Sequence, residues 1–594
     1  MINAEVGQPG DAGELLGQVH SVSASQANIW LPGGGSSRAV ATVGTFVKIP
    51  AGSALLVGVV TDVTVQTSSN GDHIGIARVD LAGQIKDRDG GLQFQLGVTG
   101  YPTIGDPVRA LTSDELGVVF GCDGEKSIKI GALQQDHSIA VAIDVDELLN
   151  KHFAVLGSTG VGKSSAVALI LQQVMQARPH LRILLLDVHN EYAHCFGERA
   201  NVVNPSNLKL PFWLFNFDEI VDVIFGGRPA LDEEVEILAE VIPLSKANYI
   251  KYRSAERPTI KKSNSKNFGY TVDTPVPYRL ADLLNHLNER MGKLENRSSR
   301  LLYHKLMSRI ETVSNDPRYG FMFENANVGG DTMAEALGQL FRLPADGKPM
   351  TIMQLAGFPA EVVDAVVSVL CRMAFDFGLW SDGASPMLFV CEEAHRYAAA
   401  DRTAGFAPTR RALSRLAKEG RKYGVFLGLV TQRPAELDAT IISQCSTLFA
   451  MRMSNDRDQA LLRSAFSDSG ANHLAFVPVL GIGEALAFGV ALPLPTRLIF
   501  TQLPEQLLPR SDAFAKDSAP QVAGGANFVS TVVERWRGAT MRAGSDELSG
   551  ELKQTAHEAV PLQPVSPLSP SPERAPSPTI ESTLQGLLKR PLST

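Results

Sequence analysis

The sequence predicts an α/β protein: a mostly parallel sheet with a helical insertion, preceded by a small β-barrel and followed by a disordered tail. Three observations predict it. Phe153–Ser165, FAVLGSTGVGKSS, passes from a short apolar run through a glycine-bearing loop into a helical pattern, Ala166–Gln173. The apolar runs Ile183–Leu186, Met350–Leu355, Met387–Cys391 and Val425–Val430 are unbroken, as in strands buried on both faces. Ahead of them, from about Gly13 to Val118, runs such as Val40–Val47, Ala54–Val60 and Leu92–Val98 alternate with Gly-, Pro- and Asn-rich turns.

The organisation that follows is a barrel over 1–118, a first part of the core over 119–214, a helical insertion over 215–346, a second part of the core over 347–508 and an extension over 509–594. Ile128–Leu133, Ile139–Ile143 and Asp144–Leu149 lead into the glycine loop. Within the insertion, helical patterns occur at Asp232–Ile242, Leu280–Lys293 and Ser299–Ser314. The polar stretch Lys251–Asn267, with Lys261, Lys262 and Lys266, is either a solvated loop or a contact for a phosphate backbone. Pro359–Phe377 reads as an amphipathic helix, Thr447–Met453 and Ala485–Ala491 continue the sheet, and Thr496–Phe500 is expected to close it. Beyond Leu508 a helix is expected at Asn527–Met541 and another at Thr583–Lys589, separated by the Pro- and Ser-rich Leu562–Pro578.

Composition narrows the classes. With 594 residues, 44% of them hydrophobic, the chain can bury several cores. A net charge of −8 excludes a generally basic nucleic-acid binder, so any such contact needs a local basic surface. Five scattered cysteines without a C-x-x-C pair fit a reducing cytoplasm. With no signal-like start and no membrane-length apolar run, neither secretion nor membrane insertion is expected.

Gly157, Gly162, Lys163 and Ser164 satisfy G-x-x-x-x-G-K-[ST] in the order strand, loop, helix. Glycines allow backbone N–H groups to turn inward around phosphate oxygens, and the helix offers its positive end. The loop Gly157, Ser158, Thr159, Gly160, Val161, Gly162, Lys163, Ser164 and Ser165 is therefore the candidate nucleotide cradle. Lys163 would reach the β- and γ-phosphates and Ser164 would hold Mg²⁺.

Met387–Cys391 runs into Glu392-Glu393, an apolar strand ending in two acids downstream of a phosphate loop, the form of a Walker B element. Glu392 takes the Mg²⁺ role, through water, and Glu393 the base that polarises the attacking water. Gln432, after Val425–Val430, would sense the γ-phosphate or orient water. Asp187 and Glu191 flank a turn at another strand's carboxyl end; they belong to the nucleotide neighbourhood or to an ordinary solvated loop. His395 reads as a local hydrogen-bonding residue. In Pro408–Tyr423, Arg411, Arg415, Lys418 and Lys422 share one face, either solvated or facing phosphates.

One phosphate loop, one Walker B strand and one sensor strand imply a single RecA-like core. A lone core needs its arginine finger from an adjacent subunit, hence a homo-oligomeric ring. No LSGGQ-like run supports an ABC ATPase, and chain size and the paired acids disfavour small-molecule kinases.

KHFAVLGSTGVGKSS, DVHNEY, FVCEEAHRY and EGRKYGVFLGLVTQRP, in that order behind a β-rich segment, resemble the HerA-type ATPases of the HerA/FtsK superfamily. The resemblance covers roughly residues 10 to 505. It implies a HAS-barrel, a RecA-like core with a helical insertion, and a homohexamer whose channel takes double-stranded DNA. ATP and Mg²⁺ would be the cofactors. Carried over by motif, Lys163 and Ser164 bind nucleotide and Mg²⁺, Glu392 and Glu393 form the Walker B pair, Gln432 is the sensor, and Arg421 in EGRK is the trans-acting finger, with Arg415 second. Two positions depart from the pattern: Glu392 stands where Asp is common, and Val161 where a small residue is frequent.

The family also implies a partner effector, a nuclease in end resection or a nuclease or sirtuin-like protein in phage defence. Two functions follow: a motor that hydrolyses ATP to move along duplex DNA and feed a nuclease, or a nucleotide-gated ring scaffold that regulates an effector bound at the barrel. The acidic net charge leans toward the scaffold. A conjugation-type DNA pump would normally carry a membrane anchor.

Overall fold

The computed structural model describes residues 13–31, 41–67, 73–88, 91–121, 126–226, 228, 230–256, 269–294, 296–326, 330–401, 405–465, 468–510, 530 and 533. The tail expectations, Lys261, Lys262, Lys266 and Cys122 lie outside them.

The N-terminal strands form a seven-stranded antiparallel sheet that closes on itself. Gln26–Leu31 pairs with Leu15–Val22 on one side and His73–Arg88 on the other, with Gln26 opposite Asp80 and Leu31 opposite Gly75. Gly91–Leu96 continues from His73–Arg88 outside the closure. Closure follows from the alternation of the strands, which turns Val47, Ile49, Leu56, Val60, Ala77 and Val79 into one interior.

The second sheet has eleven strands. Seven are parallel, in the spatial order Ala200–Val203, Met350–Gln354, Arg182–Asp187, Met387–Cys391, Val425–Thr431, Phe153–Leu156 and Thr447–Met451. Phe153–Leu156 is wholly buried between two parallel neighbours, which is why its sequence shows no alternation. Four antiparallel strands follow: Glu484–Gly489, Thr496–Phe500, Ser127–Leu133 and Ala140–Asp144. Thr496–Phe500 thus does not close the sheet. Leu498 pairs with Leu133, and the strands ahead of the phosphate loop form the far edge, because buried Ile130, Val141 and Ile143 need this sheet face to pack upon.

The insertion leaves Ala200–Val203 and returns to its neighbour Met350–Gln354. The helix expected at Asp232–Ile242 continues through Pro243 to Glu256. Packing of Val241, Ile242 and Tyr249 outweighs the missing proline N–H. Phe217–Phe225, Met333–Phe341 and Ala200–Val203 are further elements that periodicity alone did not reveal.

The basic helix is α-helical over Ala407–Glu419 and tightens to a 3-10 turn at Gly420–Tyr423. Its basic face is partly paired within the chain. Arg411 meets Asp218 at 3.2 Å, and Arg415 lies 4.0 Å above the Phe375 ring and 3.6 Å from Asp376.

Barrel and sheet share one hydrophobic cluster: Phe46, Val57, Val59 and Ile85 pack with Val141, Phe153, Val155 and Leu171. Lys48, in the barrel, is buried and meets Glu115 at 2.5 Å. That carboxylate also closes the capping box of the helix Ser113–Phe120.

Candidate functional site

The phosphate loop is held on three sides by backbone. Gly157 N donates to Thr431 O at 3.3 Å, Ser158 N to Arg452 O at 3.0 Å, and Gly483 N to Val161 O at 2.9 Å. A Cβ on Gly157 would stand 2.8 Å from Met451 Cβ, so only glycine fits. Gly162, at φ +98°, turns the chain into the helix Lys163–Ala177. Lys163 is buried at the helix start and donates from Nζ to Ser158 O at 2.7 Å. Burial lowers its ammonium pKa, opposed by the carboxylates of Glu393, Glu392 and Glu191.

The sheet order decides what faces this loop. Val425–Thr431 runs between the phosphate-loop strand and Met387–Cys391. Gln432 therefore emerges between Thr159 and Glu393. Thr159 Oγ1 donates to Gln432 Oε1, and Gln432 Nε2 donates to Glu393 Oε1. The two partners orient the amide.

Glu393 is 5% exposed and has φ +49°, a left-handed conformation that a non-glycine residue keeps only when its surroundings impose it. Its Oε2 is buried without a hydrogen-bond partner among the described residues. His395 Nδ1 stands 3.3 Å from that oxygen but is directed to Thr431 Oγ1 at 3.0 Å. A carboxylate oriented through one oxygen and open at the other suits a base that accepts a proton from water.

Glu392 is placed differently. It is 4% exposed, and its Oε2 and Oε1 accept from Val188 N at 3.1 Å and Tyr192 Oη at 3.3 Å. Burial first, and Asp187 next, push its pKa up to about 8. The carboxylate that touches Ser164 is Glu191, whose Oε2 accepts from Ser164 Oγ at 3.0 Å. Asp187 shapes the turn: its two oxygens accept from Glu191 N at 3.0 Å and Tyr192 N at 3.1 Å. Tyr192, fully buried, and Asn190, at φ +57°, complete this wall. The DVHNEY run was the signal for it, but chain position alone could not say which acid reaches the loop.

These residues fit a nucleoside triphosphate with a hard cation. The glycine loop and Lys163 suit phosphate oxygens. Among the described residues no three His, Cys, Asp or Glu side chains form a metal cage. A hydroxyl and a carboxylate beside a phosphate cradle are nevertheless the sparse oxygen set that Mg²⁺ uses when phosphates supply the rest.

Arg421 is exposed in the turn that enters Val425–Thr431, at the end of that strand opposite Gln432. Neither it nor Arg415 contributes to this chain's own loop.

A family model described as the central domain of helicase HerA matches residues 128–374. The DNA double-strand break repair helicase HerA of Pyrococcus furiosus is 28% identical over 425 residues, spanning 66% of this chain and 72% of that protein. Over these residues the chain is similar to HerA proteins. A probable helicase of Methanocaldococcus jannaschii is 27% identical to this chain over 444 residues, spanning 72% of it and 76% of the relative. Among solved structures, VirB4 of Thermoanaerobacter pseudethanolicus aligns with a TM-score of 0.44 and 15% identity over 65% of this chain and 100% of that one. Among the described residues no helix is long and apolar enough to cross a membrane.

Proposed function

We propose that this chain is a HerA-type, ATP-dependent, homohexameric double-stranded DNA translocase or helicase. It would work with a partner nuclease or other effector, in DNA end processing or phage defence. The observation that carries the hydrolytic part is the open, buried Oε2 of Glu393, held beside Gln432 and the phosphate loop.

In this reading Gly157–Ser165 cradles the phosphates and Lys163 exchanges Ser158 O for a phosphate oxygen. Glu393 accepts the proton of the attacking water, and Gln432 fixes that carboxylate while linking it to Thr159. Ser164 and Glu191 hold Mg²⁺, which would neutralise charge on the phosphates. Glu392 orients the Val188–Tyr192 turn one layer behind. Arg421 acts on the nucleotide of a neighbouring subunit, since it stands away from its own loop.

The test is the ATPase rate with Mg²⁺, with and without linear duplex DNA, with Glu393→Gln as the blank and native mass to count subunits. A hexamer whose turnover rises severalfold with DNA supports the motor. A hexamer indifferent to DNA favours the scaffold role for an effector. Loss of turnover and binding together in Glu393→Gln would remove the base assignment.

A further inference from the structure

The helical insertion holds a cavity that the nucleotide reading does not use. Its walls come from both ends of the insertion: the turn Phe212–Leu214 on the way out, and the helix Met333–Phe341 on the way back to Met350–Gln354. Tyr278, just ahead of the helix Leu280–Gly292, and the pair Phe321 and Met322 complete it. Its volume is about 350 Å³, within the range of roughly 300–1,000 Å³ that small-molecule sites occupy. No residue of the phosphate loop, the Glu392-Glu393 strand end or the Gln432 turn lines it.

The lining is apolar and held in place. Leu208, Phe212, Phe321, Met322 and Ala336 are all buried. The Phe212 ring meets Tyr278 edge-on at 4.9 Å and stacks on Phe323 at 5.3 Å. Lys246 Nζ stands 5.7 Å from the Tyr278 ring centroid and is itself fixed by Val272 O at 2.5 Å and Thr274 O at 2.7 Å. Rings pinned on other faces keep the space between them from collapsing.

Two polar atoms interrupt this lining. Trp213 and Tyr278 are only 6% and 5% exposed, yet neither the indole N–H nor the phenol hydroxyl has a hydrogen-bond partner among the described residues. Burial alone raises the Tyr278 pKa, with no hydrogen bond contributing. Neither atom is sealed inside the core, so both reach the open space that their residues line. A buried Trp or Tyr ordinarily finds an acceptor, and here the acceptor must come from what enters the cavity. The charged residues of the lining, Lys209, Glu324 and Glu335, are exposed and so stand at its mouth. An ion deeper inside would have no counter-charge, which rules out a phosphate or a metal there.

We infer that this cavity is a binding site for a neutral one- or two-ring small molecule that carries a hydrogen-bond acceptor for Trp213 and Tyr278. The apolar walls cover the ring, and the two donors select rings with an acceptor over bare hydrocarbons. The inference is independent of the nucleotide reading, because it uses none of that site's residues.

The experiment titrates the full chain at neutral pH with quinoline and with naphthalene, rings of one shape of which only the first has an acceptor nitrogen, and reads binding by ligand-observed NMR. Variants are Trp213→Phe and Tyr278→Phe, which remove the donors and keep an aromatic ring, and Ala336→Leu, which fills the cavity; an unfolding midpoint is recorded for each. The parent should prefer quinoline by about three- to tenfold. Tyr278→Phe and Trp213→Phe should each reduce that preference, and the double variant should bind both rings within about twofold of each other. Ala336→Leu, if folded, should weaken both rings by about tenfold or more. Saturating ATP with Mg²⁺ should leave quinoline binding unchanged. A parent that binds neither ring would overturn the site, as would quinoline displaced by ATP. A preference for quinoline that survives the double donor variant would overturn the assignment of Trp213 and Tyr278.

Discussion

Gln432 donates its amide to Oε1 of Glu393 and leaves Oε2 of that buried carboxylate open. In the proposed hydrolysis the pair would divide one job, the amide holding the carboxylate in place and the unpartnered oxygen accepting the proton. Glu393→Gln should keep nucleotide affinity within about threefold and lower turnover by at least about 100-fold. Gln432→Ala should lower turnover by about 10- to 100-fold with similarly intact binding. Phosphate release alongside direct nucleotide titration separates the two quantities.

The contact between Ser164 and Glu191 makes a second expectation. Glu191→Ala should raise the Mg²⁺ concentration for half-maximal turnover by about tenfold, with Ser164→Ala acting in the same direction. Glu392→Ala should act first on stability. It leaves Val188 N–H and the Tyr192 hydroxyl without their acceptor, at about 1–3 kcal/mol each, visible as a lower unfolding midpoint.

His152 supplies a pH signature. The ring bridges Ala417 O, at 3.0 Å, and Leu427 N, at 2.9 Å, so it is neutral, with Nε2 donating and Nδ1 accepting. Burial lowers its pKa from 6.5 to about 4. The unfolded chain therefore binds the extra proton first, and the stabilisation present above about pH 6.5 is lost as pH falls toward 4. Fully expressed, the difference of 6.5 − 4 is on the order of 3 kcal/mol. His152→Asn, which tolerates the φ of +56°, should flatten the dependence of urea unfolding on pH in this window.

Arg421 is tested by mixing. Arg421→Ala rings should not hydrolyse ATP, and Lys163→Ala rings should not bind it. Mixed rings should recover part of the activity, because some shared sites then hold both an intact loop and an intact finger. No recovery in rings shown to be mixed would remove Arg421 from this role.

The phosphate loop, the Glu392-Glu393 strand end and Gln432 could be read from the chain because each depends on residue types at fixed local spacing. The contact between Thr159 and Gln432 could not, because it depends on Val425–Thr431 lying between two strands distant in sequence. The acids were harder still. Glu191 and Glu392 are separated by the whole insertion, and only the turn closed by Asp187 decides which of them meets Ser164. The far edge of the sheet was missed for a similar reason: Ser127–Leu133 precedes the phosphate loop yet pairs with Thr496–Phe500 near the other end of the core.

The shared cluster of Phe46, Val57 and Ile85 with Phe153 and Val155 gives the barrel a mechanical character. Close-packed interiors resist compression and pass strain onward. The buried Lys48–Glu115 pair rivets the same joint. The barrel is therefore a lever arm rather than a tethered float. A displacement of the phosphate-loop strand would therefore be felt in the barrel wall, and a load on the barrel would be felt at the phosphate loop.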